Sequence, residues 1–206
     1  MMDEDPTQSL PADSKERILR AAELEFTSKG FEGASTRDIA AAAGVAQALI
    51  HYHFDSKRVL FLAMVQRRAH ISCMAWETAL AQLPEPELRG ILEAVFRPVL
   101  DDKSGGVAYL RVLTMLAKGS AEDQALLSTL FDPTGMLFIE AIRLAEPALG
   151  VAAAANGYRF SLGVLASLLS ESERSGRLGG MLPDDAAEAN LSQAVTFCAA
   201  GIRALV

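Results

Sequence analysis

Apolar residues recur along most of this chain at intervals of three and four, the period of an α-helix with one buried face. Ile18, Ala22 and Phe26 mark the inward face of a first helix. It is expected to begin near Asp13, which stands at capping-box spacing from Glu16, and to stop at Gly30. Ser35, with Asp38 three residues on, caps a second helix whose inward positions are Ile39, Ala40 and Ala43 and whose end is Gly44. A third, short helix spans roughly Gln47 to Tyr52, with Val45, Ile50 and Phe54 turned inward. Asp55 or Ser56 caps a fourth helix that reaches to about Leu83. Its first turns, "VLFLAMV", are apolar all round, which predicts burial on every side between two packed units.

"PEPE" at 84–87 interrupts the pattern. Leu88, Leu92, Val95 and Val99 mark a fifth helix, with Pro98 expected to end or kink it. "DDKSGG" reads as a loop before a sixth helix, about Val107 to Lys118. A seventh starts near Ala121 and is expected to break at Asp132–Pro133. Pro147 and Gly150 separate it from an eighth at 151–174; "SGRLGGMLP" then leads to a ninth at 184–205. In the ninth, Leu191, Val195, Cys198, Ile202 and Leu205 are spaced four, three, four, three, a seam that packs helix on helix. The eighth carries small residues, Gly163, Ser167 and Ser170, on one face. No strand pattern occurs, so the expected fold class is all-α. Residues 1–12 read as a disordered tail.

Composition narrows the functional classes. Half of the 206 residues are hydrophobic, enough for one or two cored domains. The net charge of −7 argues against a general nucleic-acid coat, although residues 13–58 balance seven Lys/Arg against seven Asp/Glu. Cys73 and Cys198 sit in apolar helical patterns and read as free thiols of a reducing compartment. The acidic start is unlike a secretory signal, and no apolar run is expected to reach the roughly 18 residues of a membrane span. A cytoplasmic protein without membrane contact is expected. No Gly-rich phosphate loop, nucleophile elbow or HExxH occurs, and Glu171 and Glu173 stand two apart on a helix, facing different ways. No enzyme activity and no cofactor are expected.

The stretch "GVAQALIHYHFDSK", Gly44 to Lys57, combines a core pattern with many hydrogen-bonding side chains. His51 and His53 are two apart and lack a third ligand, which disfavours a metal. A helix, a glycine turn and a second short helix form a helix–turn–helix, whose second helix lies in the DNA major groove. Such a helix needs an apolar underside and an outer side that reaches phosphates and base edges. "RILRAAELEF", followed by "GFEGASTRDIAAAAGVAQALIHYHFDSKRVL", resembles the DNA-binding domain of the tetracycline-repressor (TetR) family over about 45 residues.

That resemblance implies DNA contacts from Ser35, Thr36 and Arg37, then from Gln47, Ala48, Leu49, His51 and Tyr52, and then from His53 and Lys57. The chain departs from the family pattern at Ala46, Ala48 and His51, where serine, glycine and tyrosine are common. Chemically, Arg37 suits guanine or phosphate and Gln47 suits adenine. Ala48 and Leu49 suit a thymine methyl, and His51, Tyr52, His53, Thr36 and Lys57 suit phosphate. The domains expected are residues 13–58 for DNA binding and 59–206 for effector binding and dimerisation.

The resemblance further implies a small-molecule pocket among the later helices. Met64, Met74, Trp76, Phe96, Tyr109, Met115, Met136 and Phe138 are the adaptable apolar candidates, and Arg111 and Arg159 are candidates to orient a ligand, as are Arg97 and Arg143. Gly163, Ser167, Ser170, Leu191, Val195, Cys198, Ile202 and Leu205 are expected at a homodimer interface; the alternative is that the seam is internal. The last two helices also resemble, without residue-level correspondence, family members that sense fatty-acyl compounds. The expected protein is a regulator, a repressor released from a palindromic double-stranded operator by an apolar or amphipathic effector. The rival is a helical carrier of apolar ligands that does not bind DNA, and a helical enzyme ranks third.

Overall fold

The computed structural model describes residues 11–100, 106–170 and 187–205. The described residues form helices only: α1 (Pro11–Gly33), α2 (Thr36–Ala43), α3 (Gln47–His53), α4 (Lys57–Ala81), α5 (Leu88–Leu100), α6 (Gly106–Ala117), α7 (Ala121–Ala145), α8 (Val151–Ser170) and α9 (Ala187–Arg203). The chain divides into two compact units, Met1–His70 and Ile71–Val206, with the boundary inside α4. Most of the expected tail, residues 1–10, most of the loop expected at 101–106, and the loop expected at 175–183 lie outside the described residues.

In the first unit α1 begins at Pro11, two residues before the expected start. Asp13 therefore lies in the first turn instead of capping it, and the Glu16 carboxylate is turned to Arg67 and Arg20. Gly30 leaves helical geometry at φ 71°, a conformation that costs an L side chain about 1–2 kcal/mol. Most of the remaining expectations for these helices hold, but Val45, expected to turn inward, is only partly buried because it follows Gly44 in the open turn. Ser35 Oγ accepts from the Asp38 N–H, and Ser56 Oγ from the Val59 N–H. Ile18, Ala22, Phe26, Ile39, Ala40, Ala43, Ile50 and Phe54 are all buried. Phe26, Phe31 and Phe61 meet as an aromatic cluster with centroids 5.1–6.0 Å apart.

α4 corrects the expectation of burial on every side. Leu60, Phe61, Met64, Val65 and Ala69 are buried, but Val59 is exposed and Leu62 and Ala63 are partly so. Arg67 and Arg68 of this helix reach Glu16 and Glu23 of α1. The Arg67 guanidinium holds the Glu16 carboxyl below its ordinary range, and Glu16 in turn holds Arg67 up.

The second unit packs α5, α7, α8 and α9, with the end of α4, around Ile91, Leu92, Val95, Phe96, Phe138, Ile142, Leu165 and Val195. α5 and α7 run on through Pro98 and Pro133, so neither proline breaks its helix. Tertiary burial directly after Pro133, at Thr134, Gly135 and Phe138, offsets the lost backbone hydrogen bond. A capping box of Ser120 and Asp123 starts α7. By length and composition alone α7 could cross a membrane, contrary to expectation. Here it is a packing helix, whose Phe138, Ala141 and Ile142 enter the core.

Candidate nucleic-acid interface

The turn between α2 and α3 is built by one glycine and one arginine. Gly44 takes φ 64°, ψ 40° and closes α2 as a Schellman cap: its N–H donates to Ala41 O, and the Val45 N–H donates to Ala40 O. Arg17 of α1 then donates from Nε and Nη2 to Ala43 O, at 3.0 and 2.6 Å, and from Nη2 to Gly44 O at 2.8 Å. A cation thus covers carbonyls at the negative end of the α2 dipole. Arg17 is a structural residue that sequence reading missed. Its signal was its place on α1 one residue before the buried Ile18, within reach of a neighbouring helix end.

α3 has no side-chain cap, because Ala46 stands at its N-cap. Burial holds the helix instead: Ile50 and Phe54 are almost fully enclosed. The opposite side is open. Arg37, Gln47, Ala48 and His51 are exposed, and Tyr52 is 79% exposed. Thr36 and Leu49 are half-buried at the edge. Gln47 Nε2 donates to Thr36 Oγ1 at 3.2 Å, so the starts of α2 and α3 share one outward ridge.

Three expected contact residues are otherwise engaged. Ser35 spends its hydroxyl on the α2 cap. His53 Nε2 lies 3.2 Å from Ser14 Oγ. Lys57 Nζ donates to Glu32 O at 3.2 Å and sits 4.8 Å from the centre of the Phe31 ring. Lys29, another lysine of this unit, is held by Glu25 and Asp38, and both carboxylates raise its pKa. No three or more metal-ligating side chains meet among the described residues.

The candidates in the second unit are redistributed. Met64 belongs to the first unit's buried core and leaves the ligand set. Phe96 and Phe138 are enclosed in the second unit's core. Tyr109 is buried, and Met74, Met115 and Met136 point to solvent. Arg159 is exposed beside Asn156 and the Phe160 ring. Arg97 pairs with Glu188 and Arg143 with Glu140. Among the described side chains of the set, only Trp76 lines a cavity of about 160 Å³, with Leu110, Leu113, Phe131, Thr134, Tyr158, Leu162 and Leu165. The side chains of Arg111 and Ser170 lie outside the described residues.

The expected dimer seam is corrected as well. Leu191, Val195, Cys198 and Ile202 are 0–5% exposed and belong to the unit's own core, with Leu205 packed against it. The seam is internal, because α9 uses it to pack on α5 and α8. Gly163 and Ser167 do face outward. Phe160 and Phe197, which the pattern did not single out, are 53% and 70% exposed beside a groove of about 230 Å³ between α8 and α9.

An all-helical chain with a glycine-turned helix pair and a polar outer ridge is of the helix–turn–helix class. Residues 18–64 match the family model described as "Bacterial regulatory proteins, tetR family", and residues 89–201 match "Tetracyclin repressor-like, C-terminal domain". The chain belongs to the tetR family. It is 33% identical over 88 residues to the HTH-type transcriptional repressor AcnR of Corynebacterium efficiens, a match covering 42% of this chain and 45% of that protein. It is 32% identical over 99 residues to the HTH-type transcriptional activator FasR of Mycolicibacterium smegmatis, covering 47% of this chain and 45% of that one. The chain thus matches slightly less than half the length of these curated relatives. In fold it is similar to the Bacillus subtilis transcriptional regulator FadR, crystallised with stearoyl-CoA. There the TM-score is 0.64 at 13% identity, covering 87% of this chain and 97% of that one.

Proposed function

We propose that this protein is a sequence-specific DNA-binding transcriptional regulator acting in the cytoplasm, a repressor released from a palindromic operator by a small effector. One observation carries the reading. The exposed ridge of Arg37, Gln47, Ala48, His51 and Tyr52 lies over a buried underside of Ile50 and Phe54, within the segment that matches the family's N-terminal model. Arg37 and Gln47 are the base-reading candidates, and Ala48 and Leu49 offer apolar surface to a thymine methyl. Thr36, His51 and Tyr52 are placed for phosphate. Ser35, His53 and Lys57 act mainly by holding the helices, and their phosphate contacts require release from present partners.

The working form is a homodimer joined through the outward sides of α8 and α9. Phe160 and Phe197 supply the apolar anchors, and the open positions Gly163 and Gly201 allow close approach. Two copies would set the recognition helices about 34–36 Å apart, or a longer multiple, along the duplex. Effector coupling runs through α4. Trp76 lines the second unit's cavity, and the same helix contributes Leu60 and Phe61 to the first unit's core. A coupling of roughly 1–3 kcal/mol would weaken DNA binding about 5–150-fold.

Selection of genomic fragments by the purified protein tests the reading. Enriched fragments should share a palindrome, and binding should fall steeply with salt. Fragments without common symmetry, or salt-independent binding, would leave the helical-carrier alternative.

A further inference from the structure

The cavity beside Trp76 is small and almost wholly apolar. Trp76, Leu110, Leu113, Phe131, Leu162 and Leu165 supply hydrocarbon and ring faces; the Trp76 Nε1 proton is committed to Val95 O at 3.0 Å, and among the described lining residues only Thr134 and Tyr158 bring hydroxyls. At about 160 Å³ it is close to the ~150 Å³ of an engineered apolar cavity that holds benzene. That is room for one ring with a short substituent, and an eighteen-carbon acyl chain on coenzyme A does not fit.

The two polar groups are not equivalent. Thr134 donates its hydroxyl to Glu77 Oε1 at 2.6 Å, so its proton is committed. Tyr158 stacks its ring on Phe138, 6.0 Å between centroids at 13°, and its hydroxyl has no hydrogen-bond partner among the described residues. Burial, with smaller contributions from Cys73 and Asp132, pushes the Tyr158 pKa up to about 12, so at neutral pH the phenol keeps its proton. Tyr158 therefore offers a proton to an acceptor that enters the cavity. The nearby carboxylates Glu77 and Asp132 repel an anion, and among the described lining residues there is no arginine or lysine to welcome one.

We infer that this cavity takes an uncharged molecule of single-ring size with one hydrogen-bond acceptor, such as an aryl ketone, and that such a molecule is the effector. The ring lies among Trp76, Phe131 and the leucines, and the acceptor oxygen meets the Tyr158 hydroxyl. The assignment rests on the proposed regulator only for the consequence that filling the cavity releases DNA.

Calorimetry on the full chain, with and without selected operator DNA, tests both parts. The probes are acetophenone, ethylbenzene, benzoate, 1-phenylethylammonium and stearoyl-CoA. Acetophenone should bind about tenfold more tightly than ethylbenzene, the scale of one buried hydrogen bond. Tyr158→Phe keeps the stacked ring and should bring that ratio to about one. Acetophenone should also release the operator from the wild-type chain. The inference is overturned if neither ring compound binds, if a charged probe binds as tightly as the ketone, or if Tyr158→Phe leaves the ratio unchanged. Binding without operator release overturns the effector assignment alone. A chain that binds no operator even without ligand sinks the regulator reading, while the ligand ratios still judge the cavity.

Discussion

Gln47 donates from Nε2 to Thr36 Oγ1 over 3.2 Å, joining the first residue of α3 to the first residue of α2. The bond leaves Gln47 Oε1 and one amide proton directed to solvent, the donor–acceptor pair that matches the N6 and N7 edge of adenine. Gln47→Ala should therefore relax preference at one base position of the operator and cost about 1–3 kcal/mol there. Thr36→Val, which removes the acceptor but keeps the shape, should relax the same position less. Binding across a set of single-base operator variants measures both. An equal loss on every variant would contradict the assignment of Gln47.

Arg17 makes three hydrogen bonds to the carbonyls ending α2. Arg17→Ala should lower the unfolding free energy by about 1–3 kcal/mol, the range for losing charged hydrogen bonds. Gly44→Ala should cost about 1–2 kcal/mol, because φ is positive there and the new Cβ would lie 3.2 Å from Arg17 Nη2. Urea titration followed by circular dichroism reads both changes. A neutral Gly44→Ala would show that the turn tolerates another backbone conformation.

Lys57 serves stability before it serves DNA. Its bond to Glu32 O and its place over Phe31 predict that Lys57→Ala lowers the urea midpoint of the free protein. The same variant should weaken binding to all DNA sequences alike. A change of sequence preference would mean that Lys57 reads a base.

Stability should fall in acid through Glu16. Its folded pKa lies below the ordinary glutamate value, held there first by the Arg67 hydrogen bonds. The carboxylate's contribution is thus fully present above about pH 4.5, and is lost as pH falls from there through the depressed folded value. Arg67→Gln should flatten the decline in urea midpoint between about pH 5 and 3. An unchanged slope would assign acid sensitivity to other carboxylates.

Phe197→Glu should give a folded monomer that binds operator weakly. Phe197 is outside the core, so circular dichroism should hardly change while sedimentation shifts to half the mass. Val195, which is fully buried in the chain's own core, should behave oppositely: Val195→Ala should cost stability and leave the dimer assembled.

The sequence by itself determined the DNA-binding unit. Ile18, Phe26, Ile39, Ile50 and Phe54 are buried as their spacing predicts, and Ser35 and Gly44 bound α2. These features are local: a cap, a left-handed glycine and a 3.6-residue period act within a few residues. Only the tertiary structure decided the rest. Apolar spacing says which side of α9 is buried, but not whether its cover is the same chain or another copy. Leu191, Val195, Cys198 and Ile202 proved internal and Phe160 and Phe197 external for that reason. Likewise, Trp76, Phe131 and Tyr158 come from three helices, and the space between them follows from how those helices cross. Arg17 meets Ala43 across 26 positions of chain, a pairing no local pattern encodes.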